Sequence, residues 1–315
     1  MNRTDESRQF LSEVIAGLQS KNRSIPCKYL YDARGSALFE AICRTEDYYV
    51  TRADLALHER HLPEISDRIG PDAHIIEFGS GSGIKTRRLL ESLETPRAYT
   101  PIEISATALE SSVKDLRRDL PLIEIVPVQA DYTKDVPDRF LRLDPPARRR
   151  VVYFPGSTIG NFNQDEAVAF MGRMRNIIGD AGAILMGVDL LKPESTLLRA
   201  YDDREGITAQ FNLNLLARMM RELDAEIDID AFRHEARFNR ECSRVEMHLV
   251  ATRPTRIELG GRQFDFDSGE SIHTESSHKY TLDGFQDLAA QAGLESLEVW
   301  TDPDELFSMH WLMRR

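Results

Sequence analysis

The sequence predicts an open, doubly wound α/β sheet joined to a second, smaller α+β domain. Three observations carry this expectation. Short apolar, β-branched segments alternate with helical ones between residues 74 and 190. The first of them runs into a glycine-rich loop, Glu77-Phe78-Gly79-Ser80-Gly81-Ser82-Gly83. After Leu190 that rhythm breaks into two helical segments and strands with two-residue alternation. Strands separated by helices imply a parallel sheet covered on both faces.

Residues 74–78 (HIIEF) form the first expected strand, and 86–93 the helix after it. Residues 98–104 (AYTPIEI) read as the second strand, with Ser105 capping a helix to about residue 120. Residues 123–128 are the third strand, and 150–154 (RVVYF) the fourth, followed by a loop over 155–161. In 163–178, Ala167, Phe170, Met171 and Met174 recur at helical spacing. Residues 183–190 (AILMGVDL) are the fifth strand. Helices are expected over 195–201 and 208–223, then an alternating strand at 244–252. Residues 256–266, turning at Gly260-Gly261, are expected to be its hairpin partner. A helix over 282–292 and short strands at 298–300 and 309–313 would close the far edge of the main sheet. The expected division is therefore 53–190 plus 281–315 for the larger domain, and 1–52 plus 191–280 for the smaller.

Composition narrows the function classes. The 315 residues carry a formal charge of -12, which repels phosphate backbones and anionic lipid. Nucleic acid and membrane surfaces are thus poor partners. Cys27, Cys43 and Cys242 are isolated, with no Cys-x-x-Cys pair, so neither a disulfide framework nor a zinc site is expected. The eight histidines show no metal spacing, and His273 and His278 read as exposed. The polar N-terminus lacks a signal peptide's apolar stretch, and a cytoplasmic location is the default.

The glycine loop sits where a parallel strand ends, the place where such sheets bind ligands. Its spacing departs from the Gly-x-Gly-x-x-Gly of dinucleotide sites, because the third glycine comes one residue early. An acid, Glu77, precedes it. That pattern suits S-adenosylmethionine (SAM), which bears a sulfonium and an ammonium but no phosphate. Glu103 ends the second strand, where a carboxylate can hold both ribose hydroxyls. Asp131 follows the third.

Rarer strings accompany the loop: Tyr31-Asp32-Ala33-Arg34-Gly35-Ser36, Tyr48-Tyr49-Val50-Thr51-Arg52, Gly156-Ser157-Thr158-Ile159-Gly160-Asn161, Arg199-Ala200-Tyr201-Asp202-Asp203 and Thr274-Glu275-Ser276-Ser277. Together, from about residue 25 to the C-terminus, they resemble the ergothioneine-pathway L-histidine Nα-methyltransferases, whose sheet is Rossmann-like. The resemblance implies SAM-dependent trimethylation of the histidine α-amine to hercynine, with a second domain helping to enclose the amino acid. It implies cofactor contacts at Gly79, Gly81, Lys85, Glu103, Asp131 and Tyr132. It implies histidine contacts at Tyr48, Asn161, Tyr201, Glu275 and Ser277, with Tyr31, Phe39, Gly156 and Met247 on the pocket wall. No metal, and no protein partner beyond a monomer, is implied. Glu103 stands where some members have Asp, and Tyr132 where some have Phe.

The residue types suit that chemistry. Asn161 and Tyr201 offer donors to a carboxylate, Glu275 an acceptor for an imidazole N–H, and Ser277 a bond to the other ring nitrogen. The sulfonium is already an activated leaving group, so in-line displacement by a neutral amine needs positioning more than a strong base. Tyr48 is the residue expected to orient the amine and to accept its proton through water. Taken singly, these residues fit packed aromatics, turn residues and a polar strand face equally well. An Nα-methyltransferase for another amino acid or a histidine derivative is the alternative, and a non-catalytic binding protein of the same fold a further one.

Overall fold

The computed structural model describes residues 5–79, 83–103, 106–131 and 136–315. The chain begins with helices α1 (Asp5–Gln19), α2 (Ala33–Ile42) and α3 (Tyr49–Ile69). Then come β1 (Ala73–Phe78), α4 (Ile84–Ser92), β2 (Ala98–Glu103), α5 (Ala106–Asp119), β3 (Glu124–Ile125) and β4 (Val128–Gln129). They are followed by β5 (Arg149–Phe154), α6 (Gln164–Ile178), β6 (Ala183–Asp189), α7 (Glu194–Tyr201) and α8 (Ile207–Leu223). Next are β7 (Glu226–Ile227), β8 (Phe232–Asn239), β9 (Arg244–Ala251), β10 (Thr255–Leu259), β11 (Arg262–Phe266) and β12 (Ser271–His278). The chain closes with α9 (Leu282–Gln291), β13 (Leu294–Thr301) and β14 (Phe307–Arg314).

These elements form two compact units, one of residues 50–191 and 280–315, the other of 1–49 and 192–279. The first holds a sheet in the order β13-β14-β6-β5-β1-β2-β3, with β4 also paired to β2. Its interior strands are parallel, and β14 and β13 are added antiparallel. Strands β1 and β6 are buried along their whole length, so that even His74 and Glu77 of β1 and Asp189 of β6 lie in the interior among apolar neighbours. Ile76, Phe78, Val152, Phe154 and Met186 pack against Phe170 and Met174 of α6 and Phe285 of α9. Asn163 caps α6 in a reciprocal capping box with Glu166.

The expected third strand is two short pieces, β3 and β4. Val126 N–H reaches Tyr99 O at 2.9 Å, and Pro127 has no N–H to continue the ladder. Ser105 lies outside the described residues.

The other unit holds two antiparallel three-stranded sheets, β12-β9-β8 and β11-β10-β7. Here the expected hairpin needs correction. Residues 256–266 do turn at Gly260-Gly261, both at positive φ, but β10 and β11 pair with each other and not with β9. The partners of β9 are β8 and β12. Another expectation falls with this one: His273 is half-buried, its Nε2 2.9 Å from Ser276 Oγ. Its backbone pairs with residues 23–25, which cover the outer edge of β12.

Candidate active site

In the sheet-bearing unit, the expected cofactor residues fall at the carboxyl ends of neighbouring strands. Gly79 follows β1 with φ +72°, and its N–H donates to Ile102 O of β2 at 2.9 Å. Glu103 ends β2, where it registers with Gln129 of β4, and Asp131 lies two residues beyond; both are half-buried. Gly156 follows β5. Gly83 caps α4 at φ +69° with open space where a Cβ would stand. Gly81 and Tyr132 lie outside the described residues.

Glu77 behaves differently from its sequence reading. Its carboxylate is turned into the core, accepting from Thr86 Oγ1 at 2.8 and 2.7 Å and from the Tyr99 hydroxyl. Burial pushes its pKa up to about 7 against the pull of those bonds. It ties β1 to Thr86 of α4 and to Tyr99 of β2.

Asp54 is a residue that sequence reasoning missed. It lies in α3, fully buried, and accepts from Lys85 Nζ and, at 3.1 Å, from Gly156 N–H. Its other oxygen lies 3.1 Å from His58 Nδ1. Burial alone would raise its pKa; Lys85 and His58 reverse this and hold it at about 2. A Cβ on Gly156, already at φ +74°, would stand 3.3 Å from Lys85 Nζ. One buried carboxylate thus fixes both Lys85 in the first turn of α4 and the backbone of the loop after β5.

Asn161 ends a short 3-10 turn (Thr158–Asn161) in this same unit and is half-buried. The donor set of this sheet edge fits SAM. Two carboxylates on adjacent strand ends can accept from hydroxyls and an amine, Lys85 can meet a carboxylate, and glycines permit close approach.

The other unit brings together Tyr31, Phe39, Tyr48, Tyr201, Met247, Glu275 and Ser277. Rings run in sequence: Tyr31 to Phe39 at 5.6 Å between centroids, Phe39 to Tyr48 at 6.2 Å, Tyr48 to Tyr201 at 6.0 Å, all edge-on. Phe211 of α8 backs this wall, 5.4 Å from Tyr31. Met247 on β9 is the cross-strand partner of Glu275 on β12. The register of β12 shifts between His273 and Glu275, and Thr274 Oγ1 is tied to Asn212 Oδ1 at 2.7 Å. A bulge of this kind re-aims the side chains that follow it.

Local chemistry explains the conserved-looking strings without appeal to catalysis. Asp32 caps α2 through Gly35 N–H at 2.7 Å and accepts from Asn214 Nδ2 of α8 at 2.8 Å. A Cβ on Gly35 would stand 1.8 Å from Leu30 O, so only glycine fits there. Asp47 accepts from the Arg204 backbone and guanidinium at 3.1 Å, which ties the residue before Tyr48 to the turn after Tyr201. Asp203 caps α8 through Thr208 N–H at 2.7 Å.

The electrostatics of this pocket are unusual. Glu275 is buried, and its Oε2 has no hydrogen-bond partner among the described residues. Burial pushes its pKa up to about 7, with Lys279 pulling in the opposite direction. Burial, then Tyr201, Cys43, Tyr31 and Glu275, raise the Tyr48 phenol well above its ordinary value. Tyr48 therefore stays a phenol at neutral pH and is not available as an ionised base. Lys279, which sequence reasoning also missed, is buried and donates to Tyr201 Oη at 2.8 Å and Ser277 Oγ at 2.9 Å. Its place two residues beyond Ser277, on the alternation 275-277-279, is the signal that could have found it. Among the described residues no cluster of His, Cys, Asp and Glu is arranged to hold a metal, and no helix is long and apolar enough to cross a membrane.

The parallel sheet with its antiparallel closing pair and the glycine turn after β1 define a class I SAM-dependent methyltransferase. A solved mitomycin 7-O-methyltransferase, MmcR, shares that fold at TM-score 0.50 and 13% identity, covering 98% of this chain and 67% of its own. Residues 10–314 match the family of histidine-specific, SAM-dependent methyltransferases, and the chain belongs to it. It is 37% identical to a histidine N-alpha-methyltransferase of Mycobacterium tuberculosis, over 92% of this chain and 90% of the relative. It is 36% identical to a histidine N-alpha-methyltransferase of Mycolicibacterium smegmatis, over 96% and 94%.

Proposed function

We propose that the protein transfers three methyl groups in turn from SAM to the α-amine of L-histidine, giving hercynine. The observation that carries this reading is the buried carboxylate of Glu275, one oxygen unpartnered among the described residues, beside the Ser277 hydroxyl. A buried acid of this kind is costly unless a ligand donates to it. An imidazole N–H does so, whereas an aliphatic side chain would leave it unpaired.

SAM, when bound, supplies a methyl on a sulfonium leaving group. Gly79, Lys85, Glu103 and Asp131 are the described residues assigned to hold it. The protein's remaining task is to hold a neutral amine. A peptide α-amine titrates at about pH 8 and that of a free amino acid somewhat above, so a small but usable unprotonated fraction exists at neutral pH. Tyr48 orients that amine, and its aromatic face favours the methylammonium that grows with each transfer. Each methyl removes one N–H donor, so three rounds require an amine site that does not depend on several such bonds. Tyr201 gives its single proton to Ser277, so it can also hold a carboxylate only by releasing that bond.

Incubation of the purified protein with SAM and each amino acid in turn, followed by mass spectrometry, tests the reading. Addition of three methyl groups to histidine is expected. Methylation only of another amino acid, or arrest at one methyl, would overturn it.

A further inference from the structure

Lys279 has an arrangement that the reaction itself does not demand. An ammonium can only donate hydrogen bonds. Its Nζ lies 2.8 Å from Tyr201 Oη and 2.9 Å from Ser277 Oγ, so both oxygens accept from it. The Tyr201 O–H is given to Ser277 Oγ at 2.7 Å. Ser277 Oγ thereby accepts twice, and its own proton must be donated outward. Glu275, two residues back on the same alternation, can only accept when ionised.

We propose that Lys279 is a positioning residue that makes Ser277 an obligatory donor, so that the pocket selects a neutral azole ring with one N–H and one bare nitrogen. The proposal rests on the histidine reading above and deepens it. Without Lys279 the Ser277 hydroxyl could accept as well as donate, and whenever Glu275 is ionised the pair would admit an imidazolium with two N–H donors. With it, the ring nitrogen facing Ser277 must be bare, and a second positive charge is repelled. The largest electrostatic influences on Glu275 and on its neighbour Tyr48 come from Tyr31, Cys43, Tyr201 and Lys279, and among these Lys279 is the cation. Behind Tyr201, His234 Nε2 meets the Tyr201 carbonyl at 2.8 Å and is held neutral by burial. It adds no charge. Lys279 therefore decides the protonation state that the pocket accepts.

The test uses the whole protein with S-adenosylhomocysteine and histidine labelled with 15N in the ring. At pH about 6.5 free histidine is an even mixture of neutral and protonated rings. Bound histidine is expected to show one protonated and one bare ring nitrogen at that pH and at pH 8. A bound imidazolium at pH 6.5 would overturn the assignment of Lys279 while leaving the histidine reading intact; no histidine complex at all would overturn both. In Lys279→Met the bound ring should become doubly protonated at pH 6.5, with KM for histidine at pH 8 raised about tenfold and SAM affinity within twofold. Lys279→Arg should keep the ring neutral. A Lys279→Met complex whose ring stays neutral also overturns the proposal, and should that variant fail to fold, the measurement on the unaltered protein still decides.

Discussion

At the scale of single residues, Glu275 makes two separable predictions. The first concerns ligands. Glu275→Ala removes the acceptor for the ring N–H, and a site built around such a bond discriminates strongly. KM for histidine should rise at least about a hundredfold, with SAM affinity by calorimetry nearly unchanged; equal losses for both ligands would sink the assignment. The second concerns stability. The carboxyl is lifted from an ordinary 4.5 to about 7 by burial, so the folded protein holds its proton more tightly than the unfolded chain. Its contribution is fully present below pH 4.5 and is lost as pH rises through 7. Glu275→Gln never ionises. The difference in melting temperature, variant minus wild type, should therefore be larger at pH 8 than at pH 5. Its free-energy equivalent is at most roughly 3 kcal/mol. A difference that is flat or falls with pH means that the carboxyl is not desolvated as described. Lys279 shows why sequence alone stopped short here: a lysine beside a histidine and a tyrosine reads as surface, and although the 275-277-279 alternation puts it on the right face, its contact with Tyr201, 78 residues away along the chain, is what gives it a role.

At the scale of elements, legibility followed burial. Strands β1, β5 and β6 carry apolar stretches at Ile75-Ile76, 151–154 and 183–186 because helices cover both faces, and that pattern survives in sequence without neighbours. Strand β8 (FRHEARFN) and strand β12 (SIHTESSH) are polar and show no apolar run; β8 meets β9 across a short turn, whereas β12 pairs with β9 only across the intervening β10 and β11. Hence the false pairing of 256–266 with β9. The same logic governs the candidate site. The glycine loop is contiguous and can be read directly, whereas Asp54 acts on groups 31 and 102 residues away. The proposed histidine-binding residues were legible only through the joint resemblance of five separated strings. One of them, around Asp32, is explained by a helix cap and a tie to α8, which predicts its behaviour. Asp32→Ala should cost about 1–2 kcal/mol in urea unfolding. It should also raise KM for histidine several-fold, because α2 carries Phe39 of the aromatic wall. A loss of stability with KM unchanged would confine Asp32 to folding.

At the scale of the whole molecule, the charge of -12 bears on the cofactor cycle. SAM carries a sulfonium, an ammonium and a carboxylate, a net charge of +1, whereas S-adenosylhomocysteine has lost the sulfonium charge and is a neutral zwitterion. The summed field of an acidic protein attracts the first and is indifferent to the second. In the sheet-bearing unit the carboxylates Glu103 and Asp131 at the strand ends add to that attraction locally, while Asp54 already compensates Lys85. Burial turns Glu77 away from this role, so the attraction is long-range and hence open to screening. The Debye length shortens from about 30 Å at 0.01 M salt to about 3 Å at 1 M. Calorimetric titrations over that range should show SAM affinity falling about threefold to tenfold, with S-adenosylhomocysteine affinity nearly constant. The preference for substrate cofactor over spent cofactor should then be greatest at low salt. If both affinities fall in parallel, the net charge plays no part in cofactor exchange, and local contacts alone distinguish the two.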